Sequence, residues 1–496
     1  MVDIRDLAER IWNGEVSTQE VHPVGWRQPE GQEIAPGLLY YKGLASANTI
    51  DTGDGLVMLD TGAINDTLPL HAEVRKWRPE APLRAAVFSH HHVDHIFGMG
   101  PFEQEAQANG WGRPLVYGHE ALAWHFDRYR RTRGWNTAIN RRQFAIDLPQ
   151  FQWPEHYRYA DVTYKDRLAF SCGDLTFELN HARGETEDAT WTWIPERKLL
   201  SPGDLFIYAV PNAGNPQKVQ RYSGEWAAAL RRMAALGAGI MLSGHGLPIF
   251  GADRIRVALL DSAELLDSIE AQVLALMNTG CTLDRVIHEV EIPPHLRDKP
   301  HLRPVYDDPQ FLVRNVWRLY GGWYDGEPDN LLPAPRAEQA REWVDLAGGI
   351  DRVLARVATS GTKATCAWPA TWWSMPLSPS PARSPRTRSA PRSTLPARRS
   401  RSPRWRATSS TTRRKRASRA SATSRGSTDR GSWGEVERAK GIEPSSQPWE
   451  GRVLPLNHTR PGANAKQRII PASSVRGTPA CPSRKSFRSP LKSSTR

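Results

Sequence analysis

Cysteine is scarce in this chain: Cys172, Cys281, Cys366 and Cys481 are all there are in 496 residues, and no two form a CxxC pair. That excludes a disulfide framework and a thiolate zinc site, and it fits a reducing compartment. Long apolar runs are missing as well, since no stretch approaches the roughly 18 apolar residues of a membrane span. The amino-terminal MVDIRDLAERIW mixes charges into a short helical pattern and lacks both the basic start and the apolar run of a signal peptide. The expectation is a soluble cytoplasmic protein without a membrane partner.

The third lack is of a uniform charge. The net charge of +13 hides two opposite segments. Residues 361–496 hold 29 basic and 5 acidic side chains, whereas residues 1–360 hold 37 basic and 48 acidic ones. The globular part is acidic and the tail basic, so net charge says nothing about the main domain's ligand.

Between about Gly37 and Gly251 short apolar runs alternate with turns and helical patterns. Leu39 to Leu44, Leu56 to Asp60, Ala85 to Phe88, Leu115 to Tyr117, Leu175 to Leu179, Thr190 to Ile194 and Ile240 to Leu242 read as strands, and Leu68 to Trp77 and Glu225 to Leu236 as helices. This mixture predicts stacked sheets flanked by helices. From Ala252 onward a long amphipathic pattern with no strand signal predicts a helical domain, continued by Leu283 to Val290, Gln310 to Tyr320 and Ala337 to Val357. The division is therefore residues 1–251, 252–360 and 361–496. After Val357 the helical logic stops and a Ser-, Arg- and Pro-rich sequence follows, whose composition cannot bury enough apolar surface to offset chain entropy. A disordered basic tail is expected, for which two explanations compete: a genuine basic tail for nucleic acid or anionic lipid and, favoured here, a reading-frame slip that leaves the helical domain incomplete. A shifted frame of the coding DNA near codon 360 that continues the helical pattern is the test of that slip.

The most informative string is VFSHHHVDHIFGM, Val87 to Met99, in which a short apolar strand runs into His90, His91, His92, Val93, Asp94 and His95. Imidazole nitrogen and carboxylate oxygen are the donors that borderline divalent metals accept when thiolate is absent. The H-x-H-x-D-H spacing suits two ions. His90 and His92 alternate along an extended segment and converge on one, while Asp94 and His95, beyond a bend, face a second. A surface histidine cluster with fortuitous metal affinity is the bland alternative.

This signature resembles that of the metallo-β-lactamase superfamily. GLVMLDTG, Gly55 to Gly62, is similar to the family's earlier strand, with Asp60 as a buried carboxylate behind the ligands; LLSPGDLF, Leu199 to Phe206, resembles the strand and turn supplying a bridging aspartate, here Asp204; and MLSGHGLPIFG, Met241 to Gly251, resembles the source of the last metal histidine, here His245. The resemblance implies an α/β fold, an αββα sandwich with its metal site at one edge between the sheets, followed by the smaller helical domain.

One ligand departs from the common pattern. Where most relatives place a histidine, this chain reads HARGETEDATW, with Glu185 in that place, a substitution resembling the alkylsulfatase branch. His181, four residues earlier, is the alternative ligand and otherwise a supporting histidine. VPNAGNPQKVQRY, Val210 to Tyr222, resembles the branch's loop over the substrate, which makes Asn212 a candidate substrate contact. FLVRNVWRLYGGWYDGEPDNL, Phe311 to Leu331, resembles part of the alkylsulfatase dimerisation domain, with Arg314, Arg318 and Tyr324 as further candidates, because guanidinium matches a tetrahedral oxyanion. A homodimer is implied with it.

By this resemblance His90, His92 and Glu185 hold one divalent ion, Asp94, His95 and His245 a second, and Asp204 bridges, with Asp94 and Asp204 the carboxylates at the catalytic centre. Two such ions, zinc by their ligands, lower the pKa of a shared water. The expected activity is hydrolysis of an alkyl sulfate ester. A lactone, thioester or ester hydrolase on the same site and a non-catalytic metal-binding protein are the alternatives. A nucleic-acid partner is not expected, because Trp372, Trp373, Trp405, Trp433 and Trp449 are scattered through the tail without a folded platform.

Overall fold

The structure is a computed structural model, and it describes residues 2–360. The tail and the reading-frame slip lie outside the described residues. Helix α1 (Ile4–Trp12) opens the chain, capped by Asp3, whose carboxylate accepts from the amides of Arg5 and Asp6. A first sheet of seven strands follows in sequence order: β1 (Gln28–Ala35), β2 (Leu38–Lys42), β3 (Ser46–Asp51), β4 (Leu56–Leu59), β5 (Leu83–Val87), β6 (Leu115–His119) and β7 (Val162–Tyr164). β1 to β4 are antiparallel neighbours, and β4 to β7 are parallel. Their crossovers hold α2 (Thr67–Trp77), α3 (Met99–Ala108), α4 (Leu122–Arg131) and α5 (Arg133–Gln143).

The second sheet runs β13-β12-β11-β10-β9-β8, from β8 (Arg167–Cys172), β9 (Leu175–His181), β10 (Thr190–Ile194), β11 (Leu199–Gly203), β12 (Ile240–Ser243) and β13 (Ile249–Phe250). Only β11 and β12 pair in parallel, with α6 (Ser223–Ala234) in their crossover. Then come α7 (Ala252–Asn278), α8 (Leu283–Glu289), α9 (Pro309–Gly321), α10 (Arg336–Leu346) and α11 (Ile350–Ser360).

Alternation along the central strands builds two cores. Tyr40, Val57, Leu59, Ala85 and Val87 turn one way, against Phe177, Leu179, Trp191, Leu200 and Met241 of the second sheet. Leu39, Tyr41, Leu56, Met58 and Ala86 turn the other way, against Leu70, Val74, Phe102 and Phe126 of the helices. Burial on both faces explains why these strands read as continuous apolar runs. Trp226, Leu230 and Met233 of α6 and Leu259, Leu266 and Ile269 of α7 cover the second sheet, completing the αββα order. Val286 of α8 and Leu312, Val313 and Val316 of α9 join the same core, so the helical segment through α9 is packed onto the sandwich.

Five strands escaped the sequence pattern: the short β7 and β13, and three longer ones. β1, QPEGQEIA, is a largely exposed edge; β3, SANTID, is buried but polar; β8 alternates between exposed and half-buried positions. The strand expected over Leu39 to Leu44 ends at Lys42, because the chain turns there into β3. The single helix expected over Ala337 to Val357 is two, broken where Gly348 and Gly349 both take positive φ.

Candidate metal centre

Parallel pairing of β4 with β5 and of β11 with β12 brings four carboxyl-terminal strand ends together, and every residue of the histidine signature sits just beyond one of them. Asp60 follows β4, His90 to His95 follow β5, Asp204 follows β11 and His245 follows β12. Cross-links tie the two sheets at this edge: the Thr190 amide donates to the Ser89 carbonyl at 2.7 Å, and the Ser46 amide to that of Gly244 at 2.8 Å. Glu185 arrives on the β9–β10 loop.

Two groups of donors result. His90, His92, Glu185 and Asp204 offer ligand atoms within 4.8 Å of one another, and Asp94, His95 and His245 form a second such group. Asp204 lies between them, with Oδ2 3.8 Å from His90 Nε2 and 3.4 Å from His245 Nε2, and Oδ1 3.3 Å from His95 Nε2. Asp94 Oδ2 is 3.3 Å from His245 Nε2.

Hydrogen bonds aim the histidines. Asp60 accepts from the Ser89 amide and hydroxyl, each at 2.7 Å, and from His95 Nδ1 at 2.8 Å. With its proton given to Asp60, the Ser89 hydroxyl accepts from His90 Nδ1 at 2.9 Å. His245 Nδ1 donates to the Leu44 carbonyl at 2.9 Å. All three rings thus spend their Nδ1–H on oxygen and turn Nε2 to the centre, the arrangement that fixes tautomer and direction in metal-binding histidines.

The donor set fits divalent cations. His90 Nε2, His95 Nε2, Glu185 Oε2 and Asp204 Oδ1 are buried without a hydrogen-bond partner, an arrangement that costs free energy unless something else meets them. Electrostatics agree. Burial, then the charge on His95, depresses His90 to about 4, and burial with the neighbouring imidazoles depresses His92, so both offer lone pairs at neutral pH. Burial works against charge on His245 and His95 too, but Asp204 and the nearby carboxylates outweigh it, raising His245 to about 9 and His95 well above its ordinary value. Burial opposes ionisation of Asp94 and Asp204, yet His95 and His245 hold both carboxyls well below the usual range. The second group therefore draws positive charge to itself.

Glu185 is clamped at one oxygen. Oε1 accepts from Asn212 Nδ2 at 2.6 Å and pairs with Arg221 Nη1 at 2.5 Å. Burial, opposed by Arg221 and aided by Asp204, pushes its carboxyl up to about 8. His181 stands apart from these groups: Nε2 meets the Glu187 carbonyl at 2.7 Å, and the ring stacks on His119 with centroids 3.9 Å apart. Asn212 is thus held against Glu185. Arg314 is exposed on α9, Arg318 bonds to Gln220 Oε1 at 2.8 Å and Asn315 Oδ1 at 3.2 Å, and Tyr324 receives the Trp317 indole N–H on its backbone carbonyl.

The motifs did not point to the buried cations. Arg221 is 1% exposed, although it lies in the Val210–Tyr222 loop. Lys42 is also 1% exposed, its ammonium on the Gly43 and Leu44 carbonyls, and burial, then the charge on Arg27, lowers it to about 7. Lys218 reaches Asn140 Oδ1 at 3.4 Å, and burial, then the charge on Arg221, lowers it to about 8 against the pull of Asp94 and Glu185. A third group, His91, His125 and Asp188, also brings donors within 4.8 Å. Its geometry suits support better than an ion. His91 Nδ1 donates to Asp188 at 2.8 Å, Arg128 donates to His91 Nε2 at 3.2 Å, and the two imidazoles are parallel with centroids 3.9 Å apart, so no single point lies in both ring planes.

Comparison with known proteins gives two family matches. Residues 41–245 match the metallo-beta-lactamase superfamily, and residues 282–408 match alkyl sulfatase dimerisation. Among curated relatives, a linear primary-alkylsulfatase of Pseudomonas sp. is 27% identical over 341 residues, covering 65% of this chain and 64% of that one. An (R)-specific secondary-alkylsulfatase of Pseudomonas sp. is 28% identical over 397 residues, covering 73% of this chain and 59% of that one. The solved structure of a stereoselective inverting sec-alkylsulfatase from Pseudomonas sp. superposes with a TM-score of 0.59 at 25% identity, over 72% of this chain and 61% of that chain. The chain thus spans less than two thirds of the length of each.

Proposed function

The chain belongs to the metallo-beta-lactamase superfamily and resembles its alkylsulfatase branch, and from that premise we propose that it hydrolyses sulfate esters of alkyl chains at a dinuclear metal centre. The observation that carries the proposal is the pair of buried donor groups meeting at Asp204, with Glu185 in the first of them. His90, His92 and Glu185 would hold one divalent cation, Asp94, His95 and His245 the other, and Asp204 both. Nitrogen and carboxylate donors without thiolate favour zinc. When bound, such ions lower the pKa of a shared water and offset charge developing on the sulfate.

The remaining work belongs to the chain. Asp60, Ser89 and the Leu44 carbonyl orient the imidazoles, and Asn212 and Arg221 hold Glu185 by one oxygen. Lys218 and Arg128 lie near enough for their charges to act on His91 and each other, cations suited to a sulfate head group.

We assign the chemistry to residues 1–251 and a homodimer contact to the helices after them. Trp343, Leu346, Ile350 and Leu354 of α10 and α11 expose 71, 79, 53 and 57% of their surface, an apolar face that a second copy would cover. Among the described residues no helix is long and apolar enough to cross a membrane, and no disulfide joins Cys172 to Cys281; we assign the chain to a reducing cytoplasm.

The test is turnover of medium-chain primary and secondary alkyl sulfates beside a panel of lactones, thioesters and carboxylic esters. Preferential release of sulfate supports the proposal. Turnover confined to the carbonyl substrates would move the activity to the other hydrolases of this superfamily, and bound metal without any turnover would make the chain a metal-binding protein.

A further inference from the structure

A carboxylate at position 185 brings into a buried group a negative charge that an imidazole would not, beside the charge of Asp204. An unpaired buried charge is expensive. The protein answers with Arg221, itself 1% exposed, whose Nη1 lies 2.5 Å from Glu185 Oε1 and 2.5 Å from the Asn212 carbonyl. Asn212 Nδ2 also bonds to Oε1, so that oxygen, 3.9 Å from His92 Nδ1, is doubly held, while Oε2 is buried without a hydrogen-bond partner.

The local chain is built to bring the two residues together. The Tyr222 amide donates to the Gly184 carbonyl at 3.0 Å, setting residue 221 beside residue 185. A Cβ on Gly184 would stand 3.1 Å from the Trp226 ring and 2.4 Å from a methyl of Leu205, so a larger residue here would have to displace both side chains. Arg221 is held in turn from α9. Asn315 accepts from the Arg221 amide at 3.3 Å and donates to the Arg221 carbonyl at 3.0 Å, a two-point grip across 94 residues of sequence. Gln220 Nε2 bonds to the Asn315 side chain at 3.0 Å, and Arg318 secures Gln220.

We propose that Arg221 and Glu185 form one functional unit, in which the guanidinium makes the carboxylate the electrostatic equivalent of a neutral imidazole ligand, and that Asn315 of α9 is the positioning residue of that unit. The inference rests on the reading of Glu185 as a ligand of the first cation. It makes occupancy of that cation site depend on a helix of the second region, which supplies no ligand.

The experiment is stepwise removal of zinc by a chromophoric chelator, with thermal unfolding of each metal-free protein as the check on folding. The proteins compared are the full chain and its Arg221→Met, Glu185→His, Glu185→Gln, Asn315→Ala and Arg221→Met/Glu185→His variants. Arg221→Met and Glu185→His should each weaken the first site about 10- to 100-fold and spare the second. The double variant should recover to within roughly threefold of wild type, because imidazole needs no counter-ion, and Asn315→Ala should weaken the same site by up to about tenfold. A double variant as weak as the poorer single one, with Glu185→Gln weakened, would overturn the unit while leaving Glu185 a ligand. Undiminished first-site affinity in Glu185→Gln would overturn both that reading and this inference. Should Arg221→Met not fold, Arg221→Lys keeps the charge without the forked geometry and should fall between it and wild type; first-site affinity equal to wild type in both Arg221→Lys and Asn315→Ala would contradict the positioning role.

Discussion

His245 and Lys42 share one acceptor: the Leu44 carbonyl takes Nδ1 of the imidazole at 2.9 Å and Nζ of the buried ammonium at 3.0 Å. The same ammonium holds the Gly43 carbonyl at 2.9 Å, so Lys42 sets the turn after β2 that fixes the last histidine of the centre. Lys42→Met removes both bonds, leaving the Gly43 carbonyl without this donor and the Leu44 carbonyl with His245 alone. It should weaken the second cation site about tenfold or more in the chelator titration, with Lys42→Arg retaining more affinity than Lys42→Met.

Asp60 is a second support with a cleaner substitution. Its backbone is left-handed, with φ of 57°, a conformation asparagine tolerates and alanine does not favour. Asp60→Asn should therefore preserve the fold while losing the carboxylate that takes His95 Nδ1–H, and metal affinity should drop roughly 10- to 100-fold with little change in melting temperature. Asp60→Ala should lower both.

The Asp188–His91 pair is entirely enclosed, at 0 and 1% exposure. His91 sits between His90 and His92, so the pair sets the segment that carries both. Asp188→Ala leaves the buried His91 Nδ1–H without its acceptor and should cost about 1–3 kcal/mol of stability, read by urea unfolding of the metal-free protein. A loss under about 1 kcal/mol would show that the pair is not a structural support.

Asp307 provides a pH-dependent prediction away from the histidines. Burial raises its carboxyl to about 7, against the Gly214 amide bonded to it at 2.8 Å and the charge on Arg221. In the unfolded chain the group titrates near the ordinary 3.8. Between these values the folded form holds the extra proton, so its stabilising contribution is complete below about 4 and is lost as pH rises through about 7. Wild type should accordingly lose stability relative to Asp307→Asn between pH 5 and 7 and run parallel to it above pH 8, when denaturation midpoints are compared.

The parts of the centre legible in the sequence were those lying in short strings beside strands. His90, His92, Asp94 and His95 announce themselves by spacing, whereas Asp60, Asp204 and His245 were picked out only because the strings around them resemble metallo-β-lactamase motifs. Stacked sheets flanked by helices were legible because strands buried on both faces leave unbroken apolar runs, while the αββα order came with the family resemblance. Arg221, Lys42 and Asn315 were not, because each acts through a partner far along the chain and a buried cation has the same letter as a solvated one. The same limit explains Arg314, whose guanidinium chemistry suited a sulfate but which the fold exposes on α9. His91 was visible in the cluster, while its partner Asp188, 97 residues away, gave no signal.

On the proposed function, Asp204 and the six side chains around it would hold two divalent cations that sulfate-ester hydrolysis needs. Elemental analysis of the purified full chain tests this most directly, paired with release of sulfate from a medium-chain alkyl sulfate before chelation, after it, and after metal is restored. Two equivalents of divalent metal per chain are expected, with loss of turnover when the metal is removed and recovery on its return. A chain that carries no stoichiometric metal, or whose turnover survives its complete removal, would contradict the proposed function.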